Sequence, residues 1–89
     1  MTPTERLCAA QTLAAAYKQT GANLAHLREV LTAAEHGDPV ACRALVVDCL
    51  HVLANMNETD PRAAVVLELA REFEAHAEAA EAKRAGPAH

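Results

Sequence analysis

Three prolines, each placed directly after a residue that can cap a helix, divide this chain into segments. The three dipeptides are Thr2-Pro3, Asp38-Pro39 and Asp60-Pro61. Proline suits the first position of an α-helix because its φ is already helical and its missing N–H would have no partner there. Threonine and aspartate side chains accept hydrogen bonds from the free N–H groups of the first turn. The pattern therefore predicts a helix beginning at each of these prolines.

The segments between these boundaries have the composition of helices rather than strands. Alanine, the strongest helix former, supplies 22 of the 89 residues, and no stretch alternates apolar and polar residues as a half-buried strand does. We expect an all-α fold, a small compact bundle of three or four helices over residues 3–20, 23–36, 39–56 and 61–84. Residues 1–85 are expected to form a single helical domain, followed by a disordered tail at 86–89.

Gly21 leaves two alternatives open for the first third of the chain. In a left-handed conformation it would end one helix, and Asn23 would cap the next. However, the apolar stripe continues through Leu24 and Leu27, so a single helix over 3–36 would also keep one face apolar. An isolated glycine costs such a helix only about 1 kcal/mol relative to alanine. We expect the break, with one continuous helix as the alternative.

The charge balance and the targeting signals limit the class of partner. The formal net charge is −4 and the sequence pI is about 5.6, which argues against direct nucleic-acid binding because such proteins usually carry a basic patch. No signal peptide is visible, and no apolar run approaches the 18 or so residues of a membrane span. With three sparse cysteines, we expect a cytoplasmic protein with reduced thiols and no membrane association.

The reactive side chains do not form a recognisable catalytic or metal-binding motif. The chain has no serine and no glycine-rich phosphate loop. Asp48 and His51, and likewise Glu72 and His76, are spaced to share a helix face. Di-metal bundles use repeated Glu-x-x-His pairs, but the first pair here has aspartate in place of glutamate and the second has a different spacing. Surface carboxylate–imidazole pairs are therefore the preferred interpretation. We expect no enzyme activity, no cofactor and no metal site.

Cysteine supports one alternative hypothesis. Cys42 and Cys49 lie seven residues apart on one predicted helix, about 10.5 Å along its axis at the usual rise per residue. That separation is too large for a disulfide bond, so we interpret both as small buried hydrophobic residues. The alternative is a thiol- or metal-based sensor that uses Cys42, Cys49 and His51, with Cys8 approaching through tertiary packing.

The third predicted helix is apolar around most of its circumference. A helix of this kind is normally buried, but a chain of 89 residues has few neighbours with which to cover it. We therefore expect part of its surface to meet a partner. The candidate anchors on this helix are Val46, Val47, Leu50 and Leu53, with Leu27 and Leu31 facing them.

Acidic residues dominate the last third of the chain. Five glutamates are expected to line the outer side of the last helix: Glu68, Glu72, Glu74, Glu78 and Glu81. Such a run is usually a solvated face, and the functional alternative is an electrostatic surface for a basic partner. Of the five, Glu68, Glu72 and Glu78 are our candidate partner contacts.

Together these features favour a non-enzymatic, acidic helical binding protein: a regulator, adaptor or inhibitor that acts through apolar helix faces and an acidic flank. Its partner is expected to be a protein of unknown identity, and a homodimer is expected. One alternative is a protein, encoded by a phage or a mobile element, that inhibits nucleic-acid-binding machinery by charge mimicry. The thiol- or metal-based sensor is the second alternative.

Overall fold

A computed structural model describes residues 1–85, and within that range it contains four α-helices and no strand. The helices are α1 Pro3–Thr20, α2 Leu24–Glu35, α3 Pro39–Ala54 and α4 Pro61–Ala85. The predicted small all-α bundle is confirmed. The prediction of a disordered tail at 86–89 lies outside the described residues.

The three helix starts predicted at the prolines are confirmed, together with their caps. At α1, the Glu5 N–H donates to Thr2 Oγ1 over 3.1 Å and the Thr2 N–H donates to Glu5 Oε1 over 3.0 Å, which forms a reciprocal capping box. Asp38 Oδ1 accepts from the backbone of Val40 over 3.1 Å. Asp60 Oδ1 accepts from the backbone N–H two residues later over 3.0 Å, so each cap satisfies a free donor of its first turn.

The chain breaks at Gly21, so the alternative of one continuous first helix is wrong. Gly21 has φ +73°, and its N–H donates to the Lys18 carbonyl over 3.2 Å. Side chains are disfavoured in this left-handed conformation, which glycine adopts without strain. Asn23 Oδ1 then accepts from the Ala25 N–H over 2.9 Å and starts α2.

The core is formed mainly where α3 and α4 pack along each other, with α2 against α3 and α1 chiefly against α4. The largest side chains that lose all or nearly all solvent contact are Phe73, Leu13, Leu45, Leu69, Val66, Cys42 and Cys49. By comparison, α1 makes only a slight contact with α3. The two helices therefore touch over a short length only, and the groove described below lies between them.

No helix in residues 1–85 combines the length and the apolar character needed to cross a lipid bilayer.

Candidate functional site

Helix α3 has one face in the core and one face in solvent, and large apolar side chains lie on both. On the core side, Cys42, Leu45 and Cys49 have no exposed surface. On the opposite side, Val40 is 71% exposed, while Val47 and Leu50 are each 52% exposed. The spacing of 3 and 4 residues places Val40, Arg43, Val47 and Leu50 along one side of the helix. We call these four residues the α3 outer face.

The sequence-predicted anchors divide between the two faces. Val47 and Leu50 are exposed as expected of a contact surface, whereas Leu53 is half-buried against the core. Val46 requires a correction, because it belongs to the core at 9% exposure and offers no surface to a partner. It lies four residues after Cys42, which turns it to the same side of α3. Val40 was missed, since nothing in the sequence shows that the first turn of α3 projects beyond its neighbours.

The α3 outer face is bordered by acidic residues of α4. The Arg43 guanidinium donates to Glu81 through Nη2 over 2.6 Å and through Nε over 3.3 Å. Hydrogen bonding to Glu81 raises the pKa of Arg43, and Glu78 and Glu74 add to this electrostatically. One guanidinium therefore faces three carboxylates. We call Glu74, Glu78 and Glu81 the acidic edge.

The other predicted acidic residues lie elsewhere on α4, so the five glutamates do not share one side of the helix. Glu72 is half-buried and forms an ion pair with Arg6 of α1, and His76 Nε2 lies 3.7 Å from its carboxylate as the spacing predicted. Glu68 precedes Glu72 by four residues and shares its side of α4. Residues two apart do not share a helix face, so Glu72 and Glu74 belong to different surfaces.

An open groove of about 950 Å³ lies between α1, the C-terminal half of α3 and the loop that precedes α4. Tyr17 of α1 spans it, with its hydroxyl donating to Asp48 Oδ2 over 2.5 Å. Burial and this hydrogen bond raise the pKa of Tyr17 to about 12. We call this feature the α1–α3 groove; among its lining residues are Thr12, Ala16, Tyr17, His26, Asp48, His51, Val52, Met56, Asp60 and Arg62.

Asp48 does not form the carboxylate–imidazole pair predicted from its spacing to His51. Both residues line the α1–α3 groove, but their charged atoms are not within 4 Å of each other. Asp48 instead accepts a hydrogen bond from the Tyr17 hydroxyl. Throughout residues 1–85, no Lys, Arg or His nitrogen comes within 4 Å of the Asp48 carboxylate.

The cysteines occupy positions typical of packing residues. Cys42 and Cys49 have no exposed surface, and burial raises the pKa of both thiols, that of Cys49 to about 12. Because the thiolate is the reactive form, both are held in their unreactive state. His51 is exposed and so does not share the core with them. Among the described residues, no three His, Cys, Asp or Glu side chains are grouped to hold a metal ion.

Comparisons with protein-family models, with curated proteins and with solved structures find no match to this chain. Its function must therefore be inferred from its own surfaces. Two of them combine apolar area with charge: the α3 outer face beside the acidic edge, and the α1–α3 groove.

Proposed function

We propose that this protein is a non-enzymatic binding protein whose α3 outer face docks an amphipathic helix of a protein partner. The observation that supports the proposal is the row of exposed apolar side chains Val40, Val47 and Leu50 on a helix whose opposite face lies in the core. Isolated exposed apolar residues are ordinary, whereas several along one side of a helix form a continuous surface. Helical partners dock on such surfaces through anchors spaced three, four and seven residues apart.

The apolar contribution to binding is moderate. Full burial of a valine or leucine side chain is worth about 1.5–3 kcal/mol, so covering the exposed half of Val47 and of Leu50 contributes about 1 kcal/mol each. This gain must offset the cost of association, which amounts to several kcal/mol. Further contacts are therefore needed, and the acidic edge is positioned beside these anchors to supply them.

Charge favours a basic partner over a second copy of this chain. At the border of the α3 outer face, three carboxylates act electrostatically on Arg43, and Arg84 also acts on Glu81. Arg71, three residues before Glu74, brings the local positive charges to three, so the charges at this border balance and the net charge of the whole chain decides the comparison. A second copy, with its own net charge of −4, would bring surfaces of the same sign together. The partner helix is therefore one that carries lysine or arginine beside its apolar anchors.

The two alternatives receive less support. Charge mimicry would use the glutamates of α4 as a row of free negative charges, but Glu72 and Glu81 are already in ion pairs. A thiol-based sensor needs an accessible thiolate, and Cys42 and Cys49 are fully buried. Regulator, adaptor and inhibitor all remain within the proposal, because each role requires only occupation of a partner's helix.

Site-directed photo-crosslinking in the cells that produce the protein tests this proposal. Val47 is replaced by a photoreactive amino acid in one variant, and Leu7 is replaced in a matched control. Leu7 is 58% exposed, similar to Val47, but lies on α1. We expect an adduct from position 47 only. Sequencing of the cross-linked peptide should then identify a helical segment with apolar residues beside lysine or arginine.

Three results would contradict the proposal. An adduct between two copies of this chain would replace it with self-association, and light scattering would report the matching mass. A cross-linked segment that is acidic or cannot form an amphipathic helix would refute the proposed partner chemistry. Equal adducts from positions 47 and 7, or none from position 47, would remove the α3 outer face as the binding surface.

A further inference from the structure

The α1–α3 groove has the size and the mixed lining of a small-molecule site. Its volume of about 950 Å³ lies within the range of roughly 300–1,000 Å³ typical of ligand pockets, and one side opens to solvent. Its walls come from separate elements, with Thr12 and Ala16 on α1 facing Val52 and Met56 of the α3 region. None of the four residues of the α3 outer face is among the residues that line the groove, so the two sites use different side chains of α3.

Within residues 1–85, one acid of the groove lining has no ion-pair partner. Asp60 and Arg62 form a two-point ion pair, in which Nη2 lies 2.6 Å from Oδ2 and Nε lies 3.1 Å from Oδ1, so their charges cancel. The remaining acid is Asp48, whose observed side-chain partner is the neutral hydroxyl of Tyr17. A half-buried carboxylate held only by a neutral donor interacts strongly with an incoming cation, because screening by water is reduced there.

The groups around Asp48 suit an organic cation. The Tyr17 ring lies in the wall beside the carboxylate, and aromatic rings attract cations through their negative faces. Val52 and Met56 supply apolar surface for the body of a ligand. His26 and His51 also line the groove, and their ring nitrogens offer further hydrogen-bonding positions. Among the described residues that line the groove there is no lysine and the one arginine is paired with Asp60, so an anion would meet the Asp48 charge without a cation to balance it.

From this arrangement we infer that the α1–α3 groove binds a small organic cation, an amine with an apolar body, whose ammonium group is held by Asp48. The ammonium donates to the Asp48 carboxylate beside the Tyr17 hydroxyl, and the apolar body of the amine lies against Val52 and Met56. This ligand site is additional to the proposed function, which requires only a protein partner. Either inference can fail without the other.

Titration of the full chain with benzylamine, followed by amide chemical shifts in NMR spectra, tests the inference. Benzyl alcohol keeps the ring but lacks the charge, and benzoate reverses the charge. We expect benzylamine to bind with a Kd of about 1 mM or tighter, with shifts confined to the groove. Benzyl alcohol and benzoate should bind at least about tenfold more weakly, as expected where a charge-assisted contact dominates.

Three variants separate a ligand contact from a structural role. Asp48→Asn keeps an acceptor for Tyr17 and should weaken benzylamine binding at least tenfold. Tyr17→Phe keeps the Asp48 charge and removes the competing donor, so affinity should be unchanged or higher. Glu58→Gln removes an exposed carboxylate of the α3–α4 loop outside the groove lining and serves as the matched charge control, with no expected change. The same spectra report whether each variant is folded.

Several outcomes would overturn the inference. These are no shifts with benzylamine at 10 mM, equal binding of benzyl alcohol, or equal weakening by Asp48→Asn and Glu58→Gln. A tenfold loss in Tyr17→Phe comparable with that in Asp48→Asn would also overturn it, because the Tyr17–Asp48 hydrogen bond would then be acting only to hold α1 against α3.

Discussion

The two faces of α3 have similar residues and opposite environments. Leu45 has no exposed surface, whereas Leu50, five residues later on the same helix, is 52% exposed. Cys42 and Cys49 on the first face pack against the other helices, while Val40 and Val47 on the second face have no such cover. The comparison shows that apolar character alone does not mark the core of this protein. The side of α3 that becomes buried is the side against which α2 and α4 pack.

The difference also indicates where the stability and the function of α3 reside. A substitution on the core face removes packing that holds the bundle together, whereas one on the α3 outer face changes only what the surface offers to a partner. Four expected outcomes test this separation, and they are ordered below by the size of their effect.

Leu45→Ala should give the largest loss of stability. Truncation of a fully buried leucine typically lowers the free energy of unfolding by 2–5 kcal/mol, and we expect about 3 kcal/mol here because Leu45 contacts the core on all sides. Urea denaturation followed by circular dichroism measures this change. A loss below about 1 kcal/mol would mean that α3 is not packed as tightly on this side as the structure shows.

Thiol labelling tests the burial of the core face of α3 without any substitution, with Cys8 of α1 as the reference. Cys8 is half-buried, whereas Cys42 and Cys49 have no exposed surface. We expect Cys42 and Cys49 to react with a thiol reagent at least about 100-fold more slowly than Cys8, because they must wait for an opening that costs about 3 kcal/mol or more. Mass spectrometry of labelled peptides resolves the three sites. Rapid labelling of Cys49 would show that its thiol is accessible and would support the sensor hypothesis.

Alkaline titration tests the hydrogen bond between Tyr17 and Asp48, a half-buried residue of α3. Because the chain has one tyrosine and no tryptophan, the absorbance of tyrosinate reports Tyr17 alone. We expect a pKa of about 12 in place of the ordinary 10, since burial and Asp48 disfavour the charged form. A pKa raised on folding stabilises the protein below pH 10, and this stability is lost as the pH rises through about 12. A pKa near 10 would contradict the Tyr17–Asp48 contact.

Leu50→Ala should have the smallest effect on stability and is the matched partner of Leu45→Ala. Both variants remove the same atoms, but Leu50 is half in solvent and leaves no enclosed cavity. We expect the free energy of unfolding to change by no more than about 0.5 kcal/mol. Losses of equal size in the two variants would show that both faces of α3 are core.

The sequence predicts the helices well because the information about them is local. Each proline and its cap act within one turn, and Gly21 ends α1 through its own φ, so no tertiary contact is needed to place these boundaries. The same holds for the core face of α4, where the spacing of Val66, Phe73 and Ala77 identifies the buried side.

The candidate surfaces are less predictable because they depend on how the helices are arranged. Val46 and Val47 are adjacent and chemically identical, yet only Val47 is on the surface, and periodicity is uninformative on a helix that is apolar all round. Likewise, the partner of Asp48 is Tyr17, which is 31 residues away in sequence. The hydrogen bond depends on the angle between α1 and α3, and no sequence spacing encodes that angle.

The most direct test of the α3 outer face is the affinity of matched variants for the helical segment captured from position 47. Leu50→Ser removes an anchor, and Leu7→Ser removes a leucine of similar exposure from α1. We expect Leu50→Ser to weaken binding at least about tenfold, Leu7→Ser to have no effect, and wild-type affinity to fall as salt rises. Equal affinities for the wild type and both variants would show that the α3 outer face is not the binding surface of this protein.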